Sequence, residues 1–153
     1  MLRWMKAVLR WLRRFQKTPE LPPLTGAPAV RRLKTYSAES GYVYQYYFEG
    51  RRLLLRDGVP TNEFVFEVSA DRRRYQPVSV YVAEAVLEEW CARNQRVDLS
   101  SSQRHGVAKM ALFGAFDQRA KPQEMEKPVV LTSEEMDRIA EAIDLEAGTG
   151  VAP

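Results

Sequence analysis

The chain is poor in the residues that build reactive and metal-binding sites. It has one cysteine, Cys91, and one histidine, His105, among 153 residues. A single cysteine excludes an intrachain disulfide, which fits a reducing compartment. A single histidine excludes a His-based metal site unless carboxylates supply the other ligands. Because Gly-x-Ser-x-Gly elbows and Gly-rich phosphate loops are also missing, we predict that the protein is not an enzyme and uses no metal or cofactor.

The few reactive side chains have ordinary structural explanations. Cys91 shares a helical stripe with Leu87 and Trp90, where a buried cysteine acts as a small hydrophobic residue. His105 precedes an apolar helical stretch, and we interpret it as a polar residue of the first turn. The serines at 100–102 are typical of a helix N-cap.

Long hydrophobic runs are also absent from the N-terminal segment. Its longest apolar run is Ala7–Leu9, which is far shorter than the core of a secretory signal. Basic residues interrupt the segment every few positions, so it does not resemble a transmembrane helix. Acidic residues are missing from residues 1–17 altogether, although the whole chain has 20.

In residues 1–17, apolar and basic side chains are separated from each other around a helix. At about 100° per residue, every apolar side chain larger than alanine falls on one side of a helix, and every basic side chain falls on the other. The basic residues are Arg3, Lys6, Arg10, Arg13, Arg14 and Lys17. The remaining residues carry 17 basic against 20 acidic side chains, so the whole positive excess lies in this segment. The pattern predicts a basic amphipathic helix.

Such a helix is typical of segments that lie in the plane of an anionic membrane surface. The residues expected to bind the membrane or a membrane-associated protein partner are Arg3, Trp4, Lys6, Leu9, Arg10, Trp11, Arg13, Arg14, Phe15 and Lys17. We therefore expect a cytoplasmic protein at the inner face of the membrane. The same pattern also fits a helix that docks into an acidic groove of a partner, a helix that packs on its own domain, or an organelle transit peptide.

Proline marks the boundary between this helix and the rest of the chain. Residues 18–30 contain four prolines and Gly26, which favours a stiff extended linker. The predicted organisation is a helix over 1–17, a linker over 18–30, a folded domain over 31–146 and a flexible tail over 147–153.

The first half of the domain alternates with the period of a β-strand. Residues 42–49, 63–69 and 78–82 have this pattern. Residues 50–52 are predicted to turn the chain and 53–55 to return it, and further turns are expected at Asp57-Gly58 and at 71–73.

Helical periods follow from Ala83 to residue 91, from about Ser101 to Gln118, and after Thr132. Ser100 with Gln103, and Thr132 with Glu135, form capping-box patterns. Strands followed by helices indicate an α+β fold. We predict an antiparallel sheet of three to four strands in a meander, packed by two to three helices.

A second function is open to this domain. Arg72, Arg73 and Arg74, followed by Tyr75, could hold the phosphates of a nucleic acid while sheet tyrosines stack on its bases. The competing explanation is a solvated turn with tyrosines that pack against the helices. Phenylalanines that need burial, and the net negative charge of residues 18–153, favour that explanation.

Overall fold

The computed structural model describes residues 21–143. The predicted helix over 1–17, the first three residues of the predicted linker and the predicted tail over 147–153 therefore lie outside the described residues. Residues 21–33 contain no helix and no strand, but Thr25 forms an isolated antiparallel bridge with Arg51.

The described residues form an α+β fold with one five-stranded mixed sheet. The strands are β1 (Lys34–Ser37), β2 (Val43–Arg56), β3 (Val59–Ser69), β4 (Gln76–Ala83) and β5 (Val129–Val130), and they lie side by side in that order. The first four pair antiparallel as a meander, whereas β5 pairs parallel with β4. The parallel pair follows from the crossover, since the helices between β4 and β5 return the chain to the same end of the sheet.

Two details of the predicted sheet are wrong. It has five strands and is not purely antiparallel, since β5 pairs parallel with β4. β1 was not predicted because Tyr36 is its only large apolar residue and it has no alternating pattern. Residues 50–52 do not turn: β2 runs through them, and its register with β3 shifts between Phe48 and Gly50 as a β-bulge. A Cβ atom on Gly50 would stand 2.8 Å from the Cβ of Leu24. Glycine therefore allows residues 24–25 to cross β2 closely.

Several local predictions are confirmed. Asp57 and Gly58 join β2 to β3 with φ angles of 52° and 76°, as a two-residue hairpin turn requires. The helices are α1 (Glu84–Arg93), α2 (Ser101–Gln118) and α3 (Ser133–Ala142), with a 3-10 turn over Pro122–Glu126. Ser100 and Gln103 form the full capping box of α2. Thr132 accepts a hydrogen bond from the Glu135 backbone at the start of α3.

The core lies between the helices and one face of the sheet. Trp90, Phe66 and Phe116 are almost fully buried there, and the Phe116 ring stacks on Tyr44 at 4.2 Å between centroids. Cys91 is 4% exposed, as expected for a hydrophobic position. We call this the helix-side face. Since neighbouring strand residues point to opposite sides, Gln45, Tyr47, Glu63 and Tyr81 lie on the second face.

Candidate anion-binding site

Five basic side chains gather on the helix-side face near β1 and β2. They line two adjoining cavities of about 260 and 310 Å³ that share Gly26, Phe48 and His105. We call these two cavities together the basic groove. Its basic residues are Arg32, Lys34, Arg51, His105 and Lys109.

Strand register and helix period explain why these residues meet. Lys34 pairs with Tyr46 across β1 and β2, so both side chains point to the helix-side face. Arg51 pairs with Phe64 and points the same way. His105 and Lys109 are four residues apart on α2, which places them on one side of that helix.

The floor of the groove is aromatic. The His105 ring stands edge-on to Phe48, with centroids 4.6 Å apart and an interplanar angle of 85°. Phe66 lies 6.1 Å from the same imidazole, and Tyr46 lines the smaller cavity. An apolar floor beneath a charged rim is the usual composition of a small-molecule site.

Residues 25–28 form the remaining wall. The Thr25 amide donates to the Arg51 carbonyl at 2.9 Å, and the Arg51 amide donates to the Thr25 carbonyl at 2.8 Å. This bridge holds Gly26 against both cavities and Pro28 against the smaller one. The predicted linker is therefore part of the site over these residues.

The groove has an excess of positive charge. Within residues 21–143, no Asp or Glu lines either cavity. No carboxylate of that stretch forms an ion pair with Arg32, Lys34, Arg51 or Lys109. Contact with the Lys34 side chain, followed by burial, lowers the pKa of Lys109 to about 8. Burial, with a smaller effect from the neighbouring cations, also lowers the pKa of His105.

The start of α2 adds hydroxyl groups to this field. Ser101 and Ser102 line the larger cavity, and an Arg51 guanidinium nitrogen donates to the Ser101 hydroxyl at 3.3 Å. The positive end of the helix dipole lies at the same place. The arrangement can hold a small anion, because cations and hydroxyl donors from three elements surround one concave surface.

The sequence predictions located little of this site. The start of α2 at Ser101 agrees with the prediction, but His105, predicted in the first turn, is the fifth residue of the helix. His105 therefore lies in the second turn, half-buried against aromatic rings. Lys34, Arg51 and Lys109 were not identified as site residues. The one available signal was Lys109, a charge within the apolar stretch 107–116.

The structure places Arg72–Arg74 elsewhere, in the exposed turn between β3 and β4. The Asp71 carboxylate accepts from the Arg73 and Arg74 amides at 2.8 Å each. These hydrogen bonds lower the pKa of Asp71. Tyr75 donates its hydroxyl hydrogen to Gln45 at 2.9 Å.

The tyrosines divide between the two faces of the sheet. Tyr44 and Tyr46 are 1% and 4% exposed on the helix-side face, where they cannot stack on a base. Tyr47 and Tyr75 are half-buried neighbours with ring centroids 5.8 Å apart. Tyr44 and Tyr46 are therefore excluded from the nucleic-acid hypothesis.

The predicted membrane-binding residues 3–17 lie outside the described residues. From residue 21 to residue 143, no helix is both long and apolar enough to cross a bilayer. The same stretch holds no group of three or more His, Cys, Asp or Glu side chains suited to a metal ion.

Comparison with known proteins gives no family for this chain. No protein-family model, curated protein or solved structure matches it significantly.

Proposed function

We propose that the protein is a non-catalytic accessory or adaptor protein held at an anionic membrane surface, or at a membrane-bound complex, by residues 1–17. It acts at the cytoplasmic face of the membrane. The folded domain is presented to another component, and the proline-containing stretch 18–30 sets its distance from the surface.

One observation carries this proposal: the complete separation of apolar and basic side chains in residues 1–17. A segment with this separation lies in an interface with its apolar face in the lipid and its cations at the headgroups. Each basic residue near an anionic surface contributes about 1 kcal/mol. Trp4 and Trp11 suit this depth, since the indole ring is apolar and its N–H group remains hydrated.

One helix of the folded domain supports the adaptor role through an acidic side. The exposed side of α3 carries Glu134 and Glu141, together with Asp137, which pairs with Arg93 at 3.0 Å. An acidic surface is repelled by an anionic bilayer and attracts basic proteins. A chain with a basic end and an acidic helix therefore favours one orientation at the membrane, with α3 turned towards a partner.

Co-sedimentation with liposomes tests the proposal. The full chain should pellet with vesicles of phosphatidylglycerol and phosphatidylcholine, but not with phosphatidylcholine alone, and added salt should weaken the binding. A truncated chain that begins at Thr18 should remain in the supernatant.

A pair of triple variants supplies the matched control. Changing Arg3, Arg10 and Arg13 to Gln removes three charges from the predicted helix, whereas changing Arg72, Arg73 and Arg74 to Gln removes three from the exposed turn. Only the first variant should lose vesicle binding. Equal binding by the truncated chain, or equal loss in both variants, would contradict the proposal.

Nucleic-acid binding is the second candidate function. In its favour, Arg72, Arg73 and Arg74 are exposed, form no ion pair with any carboxylate of residues 21–143, and precede the Tyr75–Tyr47 pair. Binding of a random single-stranded oligonucleotide should then weaken, and its salt dependence should flatten, when the three arginines are changed to Ala. No change in either quantity rejects this candidate.

A further inference from the structure

The basic groove contains an unfavourable contact between two lysines that no carboxylate of residues 21–143 offsets. The side chains of Lys34 and Lys109 approach each other, and this contact lowers the pKa of Lys109 to about 8. After burial, the charges of Lys109, Lys34 and Arg51 lower the pKa of the half-buried His105, so all three cations lie near this imidazole. Like charges held together disfavour the folded state, so an anion bound between them would relieve the repulsion.

Neighbouring arginines differ in whether a carboxylate pairs with them. Arg31 pairs with Glu49 at 3.1 Å and Arg52 pairs with Glu63 at 2.5 Å. Their sequence neighbours, Arg32 and Arg51, face the groove and have no such partner within residues 21–143. The groove thus brings together cations that have no carboxylate partner within residues 21–143, and it places them around cavities with an aromatic floor.

We propose that the basic groove is a binding site for a phosphate monoester, with Lys34, Lys109 and Arg51 around the phosphate and the aromatic floor beneath the group it esterifies. A phosphate monoester carries close to two negative charges at neutral pH and offers three acceptor oxygens. It therefore satisfies cations that arrive from β1, β2 and α2 together, whereas a carboxylate brings one charge and two oxygens.

The dimensions of the groove limit the rest of the ligand. Cavities of about 260 and 310 Å³ lie at the lower end of the range for small-molecule sites. The rings of Phe48 and Phe66 beside His105 suit a flat or apolar group. The ligand is thus a phosphate attached to a compact apolar body.

This inference does not depend on residues 1–17, so it goes beyond the proposed membrane function. The same phosphate monoester chemistry occurs in soluble metabolites and in the headgroup of phosphatidic acid. The test therefore has a soluble arm and a vesicle arm, both with the full chain.

The soluble arm uses phenyl phosphate as the probe and follows binding by calorimetry. The double variant Lys34→Gln and Lys109→Gln should weaken binding by about tenfold or more for each charge removed. The control is Lys121→Gln with Lys127→Gln, which removes two exposed charges outside the groove and should bind as the unmodified chain does. Arg51→Gln, which leaves both lysines in place, provides an independent variant.

The vesicle arm compares phosphatidic acid with phosphatidylglycerol at equal surface charge. If the groove holds a lipid headgroup, the full chain prefers phosphatidic acid. The groove double variant then loses this preference but keeps the binding to phosphatidylglycerol that residues 1–17 provide. Failure of the groove is thereby distinguished from failure of the membrane proposal.

Three results decide the inference. If the unmodified chain binds phenyl phosphate and only the groove variants lose this binding, the ligand is soluble. If the unmodified chain prefers phosphatidic acid and only the groove variants lose this preference, the ligand is a lipid headgroup. The inference is overturned if the chain neither binds phenyl phosphate nor prefers phosphatidic acid. It is also overturned if the Lys121 and Lys127 control loses as much binding or preference as the groove variants do. Thermal unfolding of each variant, without ligand, checks that it folds.

Discussion

Two adjacent arginines on β2 have opposite surroundings, because neighbouring residues on a strand point to opposite faces. Arg52 lies on the second face and pairs at 2.5 Å with Glu63, whose side chain is only 4% exposed. The other Glu63 carboxylate oxygen accepts from the Ser79 hydroxyl at 2.6 Å. Arg51 lies on the helix-side face, where its guanidinium reaches the Ser101 hydroxyl and enters the basic groove.

The comparison distinguishes basic residues that pair with a carboxylate from basic residues that have no carboxylate partner. On the second face, Glu49 pairs with Arg31 and Glu63 pairs with Arg52. In the groove, Arg32 and Arg51 have no carboxylate partner within residues 21–143, which favours an anionic ligand there. A basic residue is informative about binding only once the face it occupies and its partners are known.

The largest expected effect comes from breaking the pair on the second face. Glu63→Ala leaves Arg52 without a carboxylate partner in a poorly solvated position, and we expect a loss of about 3 kcal/mol in the free energy of unfolding. Urea unfolding at neutral pH measures it. The matched control is Glu49→Ala, which breaks the more exposed pair with Arg31 and should cost less than about 1 kcal/mol. Similar losses for both variants would show that burial does not distinguish the two pairs.

The next effect concerns the wall of the groove. In Gly50→Ala the new Cβ would stand 2.8 Å from the Leu24 Cβ, at a φ of 150° that side chains rarely adopt. We expect a loss of about 2 kcal/mol in urea unfolding, with displacement of the Thr25–Arg51 bridge.

Amide hydrogen exchange at Arg51 checks the displacement, because that amide donates to Thr25. Gly114→Ala is the control, since nothing lies within 4 Å of a Cβ at that helical position. Unchanged protection of the Arg51 amide in Gly50→Ala would contradict the close crossing.

A smaller effect is expected on the helix-side face, with the opposite sign. Lys109→Gln removes the repulsion with Lys34 and should stabilise the protein at pH 7 by up to about 1 kcal/mol, because solvent screens much of the interaction. The pKa of Lys109 is about 8 in the folded chain against an ordinary 10.5. The unfolded chain therefore binds more protons between these values, and stability contributed by this group rises with pH across that window.

Urea midpoints at pH 7.5 and 9.5 test this dependence. The difference in urea midpoint between the unmodified chain and Lys109→Gln should become smaller as the pH rises, because Lys109 loses its charge. A difference that stays constant with pH would show that packing, and not charge, separates the two proteins.

The smallest effect is a shift in the titration of His105. Burial, and then Lys109, Lys34 and Arg51, lower its pKa below the ordinary 6.5. NMR of the imidazole should show that Lys109→Gln raises this pKa. The pKa should stay below its ordinary value, because burial is the larger cause and is unchanged. Lys121→Gln should leave it unchanged, and an equal shift in both variants would contradict the local origin.

The elements that depend on neighbours in sequence were predictable. The Asp57-Gly58 turn, the Ser100 capping box and the stripe of Leu87, Trp90 and Cys91 are confirmed because each is encoded within a few residues. The length of β2 was not predictable, since a strand that passes through Gly50 is stabilised by its pairing with β3 and by the residues that cross it. β1 escaped detection for the same reason.

The sequence by itself determined the α+β class, the Asp57-Gly58 turn, the Ser100 cap, the burial of Cys91, and the separated charges of residues 1–17. These follow from local backbone preferences and from periodicity along one segment. Only the tertiary structure decided that β5 joins the sheet in parallel and that Arg51 and Arg52 have different surroundings. It also brought Lys34 and Lys109, 75 positions apart in the sequence, to one groove. Such juxtapositions depend on strand register and on how α2 lies across the sheet, and no local pattern records either.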